Sequence, residues 1–453
     1  MEVKTVDDAT FSFWRAASYT AITVALVAIV LAPTLVFDAY PRVLNTLLLV
    51  GLVGLVGRSF LSALLSFRGA NTPDLELSDA ELPEVSIVIP AYNEEPVLPD
   101  TIDACLNLDY PAEKLEVVLC YEAASVDRTA EICREAAANH SIFTAVERDE
   151  PGGGKAKAMN YALQFASHDL IAMIDADHRY RPDAIRRAVA WFETDDDIWC
   201  IKGRCYGTNA DDSILALHAT VERHIAEKAD LFAREVIGGF TIFGGGQAFF
   251  RREVFDTLGE FDEDMLTEDI DMSSKIHAAG KRLVMDPSII TFEENPPTLQ
   301  AWWSQRKRWA RGWMQVAVRY LTSIPRNPAV SVSEKADAIY TFSYAIIPAF
   351  VVIGLPLAIL PKFGVETATY VPGAWAVWTA IGLSPIVVTA LVYLQDWRDG
   401  LSHQPREYLA AVTLWFYLVF QTIVFITAFI EEFIVEKPSV YVTTSRAEAS
   451  SDD

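Results

Sequence analysis

Three polar clusters follow one another along the chain: Asp175-Ala176-Asp177, Thr267-Glu268-Asp269 and Gln305-Arg306-Lys307-Arg308-Trp309. Two carboxylates one residue apart on a turn can share a divalent cation with a diphosphate. A further carboxylate can take a proton from an attacking hydroxyl. Trp309 can stack on a sugar ring, while Gln305 and Arg308 serve a diphosphate and an acceptor. Such a set could transfer a sugar from a nucleotide. Each cluster also has a plainer reading. An acidic chain produces Asp-x-Asp by chance, and Asp195-Asp196-Asp197 is another acidic run that reads as a solvated turn. Glu268 and Asp269 suit a helix start favoured by the dipole. Trp302, Trp303 and Trp313 with interleaved cations suit an amphipathic helix at a membrane interface. Ile171-Ala172-Met173-Ile174 sets the first cluster apart, because a buried strand there points Asp175 and Asp177 into a crevice.

The elements around the clusters read as strand–helix alternation. Val85–Ile89 is a β-branched run closed by Pro90, which predicts a strand. Helices are expected over Asp100–Leu106, Ala130–Ala138, Ala156–Ala166 and Pro182–Glu193, and another from about Asp269. Further strands are expected at Leu115–Cys120, Phe143–Val146 and Leu170–Ile174. This order gives an α/β fold with a mostly parallel sheet covered on both faces. Ligands then bind beyond the carboxyl ends of the strands. Asn93, Glu94, Glu122, Asp175 and Asp177 all fall at such ends.

Composition bounds the class. The chain has 453 residues, 51% hydrophobic, and a formal net charge of −24. Such acidity argues against nucleic acid as a partner, because phosphate binding needs a basic footprint. It suits a high-salt interior as well as an ordinary acidic protein. Five cysteines without zinc-ligand spacing read as reduced and structural.

Ala17–Phe37 and Val43–Leu65 are apolar runs long enough to cross a bilayer. Lys4, Arg15, Arg58 and Arg68 flank them on one side and Arg42 on the other, so the N-terminus and the chain after Arg68 face the cytosol. Ala338–Leu360, kinked at Pro348 and Pro356, Ala374–Leu394 and Tyr408–Ile430 are further apolar segments. The expected division is 1–70 for two membrane helices, 71–298 for the cytosolic domain and 299–335 for interface helices. Residues 336–436 form C-terminal membrane helices, and 437–453 form a tail.

Smaller signals carry less. Gly152-Gly153-Gly154-Lys155 lacks Walker spacing and reads as a flexible loop bringing Lys155 toward a nucleotide. Gly244-Gly245-Gly246 marks a close backbone approach, either to an acceptor or to a crossing strand. His178 reads as a supporting histidine beside Asp177.

With these motifs in order, the chain resembles a membrane-integrated family 2 glycosyltransferase of the GT-A fold, in the branch of hyaluronan, chitin and cellulose synthases. The resemblance rests on Val85–Glu95, Gly154-Lys155-Ala156 with Met159-Asn160, Asp175–His178, Thr267–Asp269 and Gln305–Trp309. It implies a GT-A domain inserted between N- and C-terminal transmembrane helices of a multi-pass plasma-membrane protein. Ala91, Tyr92, Glu94, Glu122, Lys155 and Asp175 would bind the nucleotide-sugar, with Glu122 standing where such enzymes commonly carry Asp. Asp177 and Asp175 would hold Mg2+ or Mn2+. Asp269 would be the base, with Glu268 beside it, and Gln305, Arg308 and Trp309 would line the acceptor site. The implied reaction is inverting transfer from a UDP-linked donor to a growing polysaccharide. The alternatives are single transfer to a lipid-linked acceptor, or a nucleotide-sensing transport or scaffold protein. The tail Pro438–Arg446 resembles a synthase gating loop, which makes Tyr408–Ile430 interfacial and leaves four spans.

Overall fold

The computed structural model describes residues 3–4, 13–69, 72–150, 154–439 and 441–442. Gly152, Gly153, Val440 and the tail from Thr443 lie outside the described residues. After the two-residue strand β1 (Val3–Lys4), the first two apolar runs form α1 (Phe13–Leu31) and α2 (Tyr40–Leu65). Trp14–Leu35 and Tyr40–Leu65 are each long and apolar enough to cross a bilayer.

The α/β domain then begins. Strands β2 (Val85–Ala91), β3 (Leu115–Glu122), β4 (Phe143–Arg148) and β5 (Leu170–Ile174) alternate with three helices. These are α3 (Leu98–Leu106), α4 (Thr129–Asn139) and α5 (Gly154–Leu163). The four strands lie in the order β4-β3-β2-β5 and run parallel. All of β5 is buried, as expected for a strand covered on both faces. Alternation along β2 sends Ile87 and Ile89 to one core and Val88 to the other. Strand order reverses at β2, which opens a crevice at the carboxyl ends.

The second half of the sheet departs from the parallel expectation. It holds β6 (Arg179–Tyr180), α6 (Ala184–Phe192), β7 (Ile198–Gly207), α7 (Ile214–Ile225) and α8 (Phe232–Val236). It continues through β8 (Gln247–Arg251), α9 (Glu253–Leu258), α10 (Glu268–Ala278) and β9 (Arg282–Glu293). β8 is antiparallel to both β5 and β7, β7 is parallel to β9, and β6 is antiparallel to β9. The eight-stranded sheet is therefore mixed. The physical cause is the pairing of Ile174 with Gln247, which returns the chain along β5 from the edge that carries Asp175.

The remaining helices are α11 (Leu299–Tyr320), α12 (Val332–Phe342), α13 (Ile347–Ile359), α14 (Ala374–Arg398) and α15 (Pro405–Phe433). The strand β10 (Tyr441–Val442) follows and pairs with β1. The segments Val332–Ala345 and Pro348–Phe363 meet at 58°. The bend falls just before Pro348, whose ring disfavours helix at the preceding residue. Ala374–Arg398 and Pro405–Phe433 are also long and apolar enough to cross a bilayer. A buried network joins sheet to helices. Arg204 of β7 donates to both oxygens of Asp396 at 2.6 and 2.8 Å, and His403 lies 2.8 Å from Asp396 and 3.0 Å from Glu407. All five cysteines are buried and free.

The helix α11 packs so closely on the start of α10 that only glycine fits at position 312. A Cβ there would collide with the side chain of buried Thr267. Alanine at a helix interior ordinarily stabilises by about 1 kcal/mol relative to glycine. Overpacking typically costs about 1–3 kcal/mol, so here the collision should win. Gly312→Ala is expected to lower the thermal midpoint of the detergent-solubilised chain. An unchanged or raised midpoint would contradict this packing.

Candidate active site

The loops after β2 and β3 are laced together. Asn93 sits at φ +54°, a left-handed conformation that asparagine tolerates. Its Oδ1 accepts from the Val126 amide at 2.8 Å. The amides of Glu94 and Glu95 donate to Thr129 Oγ1 at 2.8 Å and Asp127 Oδ2 at 3.0 Å. Ala91 ends β2 opposite Tyr121, and Tyr92 follows half-buried. Glu122 closes β3, where its Oε1 accepts from Arg148 Nε at 2.7 Å. Burial raises the Glu122 carboxyl above its usual range, against the pull of Arg148.

β5 delivers Asp175 to the same crevice. The Asp175 amide donates to Gly246 O at 2.9 Å, and the His178 amide closes the turn onto Asp175 O at 3.0 Å. Lys155, at the start of α5, pairs with Asp175 Oδ1. Asp177 Oδ1 lies 2.9 Å from His178 Nδ1. Asp175, Asp177 and His178 each bring one ligand atom within 4.8 Å of the others. The acidic run Asp195–Asp197 instead lies away from this turn, paired with Arg282 at 2.6 Å and Lys281 at 2.5 Å.

The second carboxylate cluster begins α10. Glu268 is buried and Asp269 half-buried. Asp269 is pushed up to about 7, first by burial and then by the negative charge of Glu268. Lys155 and Arg308 act in the opposite direction on it. Lys155 thus faces both Asp175 and Asp269, which places the two carboxylate clusters around one cation. A Cβ on Gly245, at φ +71°, would lie 3.1 Å from Asp269 Oδ2. The close backbone approach read from the glycine run is therefore to Asp269 and, through Gly246, to His178.

The helix α11 holds this arrangement from below. Gln315 Oε1 accepts from the Leu266 amide at 3.2 Å, and Arg308 Nη1 donates to Leu266 O at 3.4 Å. Arg319 and Tyr320 reach Asp271 Oδ1 at 2.9 and 2.8 Å, fixing α10 one turn further on. Gln305 and Trp309 are half-buried on the same helix. The guanidinium groups of Arg306 and Arg223 lie over the Trp309 ring, 4.4 and 5.9 Å from its centre. Three residues at the site escaped sequence reasoning: Arg223, Glu293 and Gly312. Only the proximity of Glu293 to Gln305–Trp309 in the chain offered a signal, because their partners are remote in sequence.

Comparison with known proteins bears on the family and the fold. Residues 83–312 match the model of the family described as glycosyltransferase like family 2. A probable glycosyltransferase of Bacillus subtilis is 30% identical over 253 residues, covering 55% of this chain and 60% of that protein. A poly-β-1,6-N-acetyl-D-glucosamine synthase of Staphylococcus aureus is 30% identical over 248 residues, covering 54% and 58%. The chain thus spans about three-fifths of the length of these curated relatives. A mannosyltransferase of Pyrobaculum calidifontis, solved with GDP-mannose and Mn2+, aligns over 87% of this chain and 100% of that one. Its TM-score is 0.58 at 22% identity, which establishes a shared fold. A carboxylate-lined crevice on a GT-A sheet and a family match across the whole of it lead to one conclusion: the chain belongs to the glycosyltransferase-like family 2.

Proposed function

We propose that the chain is an inverting, metal-dependent glycosyltransferase that extends a polysaccharide from a UDP-linked sugar at the cytosolic face of the plasma membrane. The carrying observation is the placement of Asp269, with its raised proton affinity, beside the Lys155–Asp175 pair. A carboxylate that titrates near neutrality is suited to general-base work.

Asp269 takes the proton of the acceptor hydroxyl. The oxygen attacks the anomeric carbon as the bond to the diphosphate breaks, and the diphosphate leaves with the electron pair. One displacement inverts the anomeric centre. Lys155 and Arg308 offer positive charge along this path. Asp175 and Asp177 supply oxygen ligands that fit Mg2+ or Mn2+, with the His178 imidazole alongside. An ion held there would neutralise charge on the departing diphosphate. Glu94 and Glu122 flank the nucleotide side of the crevice. Gln305, Arg308 and Trp309 form the acceptor side. The similarity to a poly-N-acetylglucosamine synthase supports a glycan acceptor.

The helix contacts support an interfacial α15. Its Tyr417 hydroxyl donates to Glu222 Oε2 at 2.9 Å and accepts from Trp302 Nε1 at 2.9 Å. Gln421 donates to Glu222 at 3.1 Å, and Arg311 pairs with Glu432 at 2.8 Å. These contacts with domain helices run along much of its length, which a helix surrounded by lipid would lack. Four spans then remain: α1, α2, the bent 338–360 segment and α14. Arg42 and Asn45 meet residues 366–368 at the far end of α2, opposite the Arg58–Asp337 pair, in keeping with one outer and one cytosolic side.

Membranes given UDP-N-acetylglucosamine with Mn2+ should release UDP and build a product longer than a disaccharide. Asp269→Asn should cut turnover by about 10²–10⁴-fold while UDP binding persists. Wild-type turnover in that variant would remove the proposed base. Because the base works only when ionised, kcat/KM should climb about tenfold per pH unit up to about 7 and then level off. A profile flat from pH 5 to 8 would contradict the assignment.

A further inference from the structure

A chain of buried polar groups leaves Asp177 on the side away from the crevice. His178 Nδ1 faces Asp177 Oδ1 and its Nε2 faces Glu293 Oε2, each at 2.9 Å. Both His178 and Glu293 are buried. Glu293 is the last residue of β9, and Arg223 of α7 grips both of its oxygens, with Nη2–Oε2 at 2.8 Å. Arg223 also lies 3.5 Å from Glu227 Oε1, and its guanidinium is 5.9 Å from the Trp309 ring centre.

The space for this chain is built into the backbone. Gly246 has φ +77°, and a Cβ on it would lie 2.6 Å from His178 Nε2 and 2.9 Å from Cys205 Sγ. Any side chain there would displace the imidazole. The guanidinium fork on Glu293 fixes that carboxylate in plane, as paired two-point contacts do. Glu293 then fixes the ring of His178, and the ring fixes which way Asp177 turns. Fixing a ligand through a second layer of partners is how proteins set ion affinity.

We propose that His178, Glu293 and Arg223 are positioning residues that hold Asp177 in its ion-binding orientation, with Arg223 anchoring the brace against Trp309 on the acceptor side. The proposal rests on the metal reading given above. It adds a role for two charged residues, Glu293 and Arg223, that lie outside the three clusters.

The test is Mn2+ binding to the full detergent-solubilised chain, read from the free-ion signal in electron paramagnetic resonance, with and without UDP. No turnover is needed. Glu293→Gln is expected to weaken Mn2+ binding by about 10–100-fold, the range for losing a supporting partner of a metal ligand. Near-UV circular dichroism and the thermal midpoint report whether the variant is folded. Should Glu293→Gln not fold, Arg223→Lys decides, since it keeps the charge and breaks the fork. It should weaken binding in the same direction. A folded variant of either kind with wild-type Mn2+ affinity overturns the brace, even if its midpoint has dropped. A wild-type chain without a saturable Mn2+ site overturns the metal reading itself, a separate outcome.

Discussion

The site depends on one constraint: α11 must satisfy buried charge on two sides at once. Toward the sheet it holds the loop and helix that carry Glu268 and Asp269. Away from the sheet it presents Arg306 to Glu222 of α7 at 2.6 Å, and Arg311 and Lys307 to Glu432 and Glu431 of α15 at 2.8 and 3.2 Å. Buried ions are costly unless paired, so each pairing fixes the helix more than it stabilises the fold. The result is that the proposed acceptor side, the proposed base and the start of the C-terminal segment are all braced by one helix. Arg311 Nη2 donates to Lys437 O at 2.6 Å and Gln315 to Ser439 at 3.0 Å, which ties that segment to the helix that packs on the start of α10.

Electrostatics divide the crevice into roles. The chain is strongly acidic overall, yet the groups facing its carboxylate clusters include Lys155 and Arg308. Asp175 pairs with Lys155, whereas Asp269 shares its surroundings with Glu268 and is partly withdrawn from water. The proton affinity of Asp269 is thereby raised, and a carboxylate shifted in this way in a crevice is a recurring sign of an acid–base role. The helix start at Glu268 also favours negative charge, which tempers the effect of burial.

The part of the fold that sequence made legible is the part with local signals. Val85–Ala91 and Leu170–Ile174 are strand-length apolar runs with clear punctuation, and their neighbours matched the expected elements within a few residues. The second half was hidden for physical reasons. β9 carries Asp286 and Pro287 in its middle, where the pairing with β7 shifts register, so it does not read as one strand. β7 buries Lys202 and Arg204, whose partners Glu227 and Asp396 lie far along the chain. The three polar clusters were visible because order and composition sufficed. Glu293 and Arg223 were not, because their meaning comes from His178 and Trp309 reaching them across the fold. The five cysteines behaved as the apolar context implied.

The central claim is that Asp269 drives one displacement opposite the diphosphate, without a covalent sugar intermediate on the protein. The most direct measurement is the anomeric configuration of product made from an α-linked UDP-N-acetylglucosamine donor, read from the anomeric proton coupling by nuclear magnetic resonance. The account predicts a β-linkage. An α-linkage would contradict it.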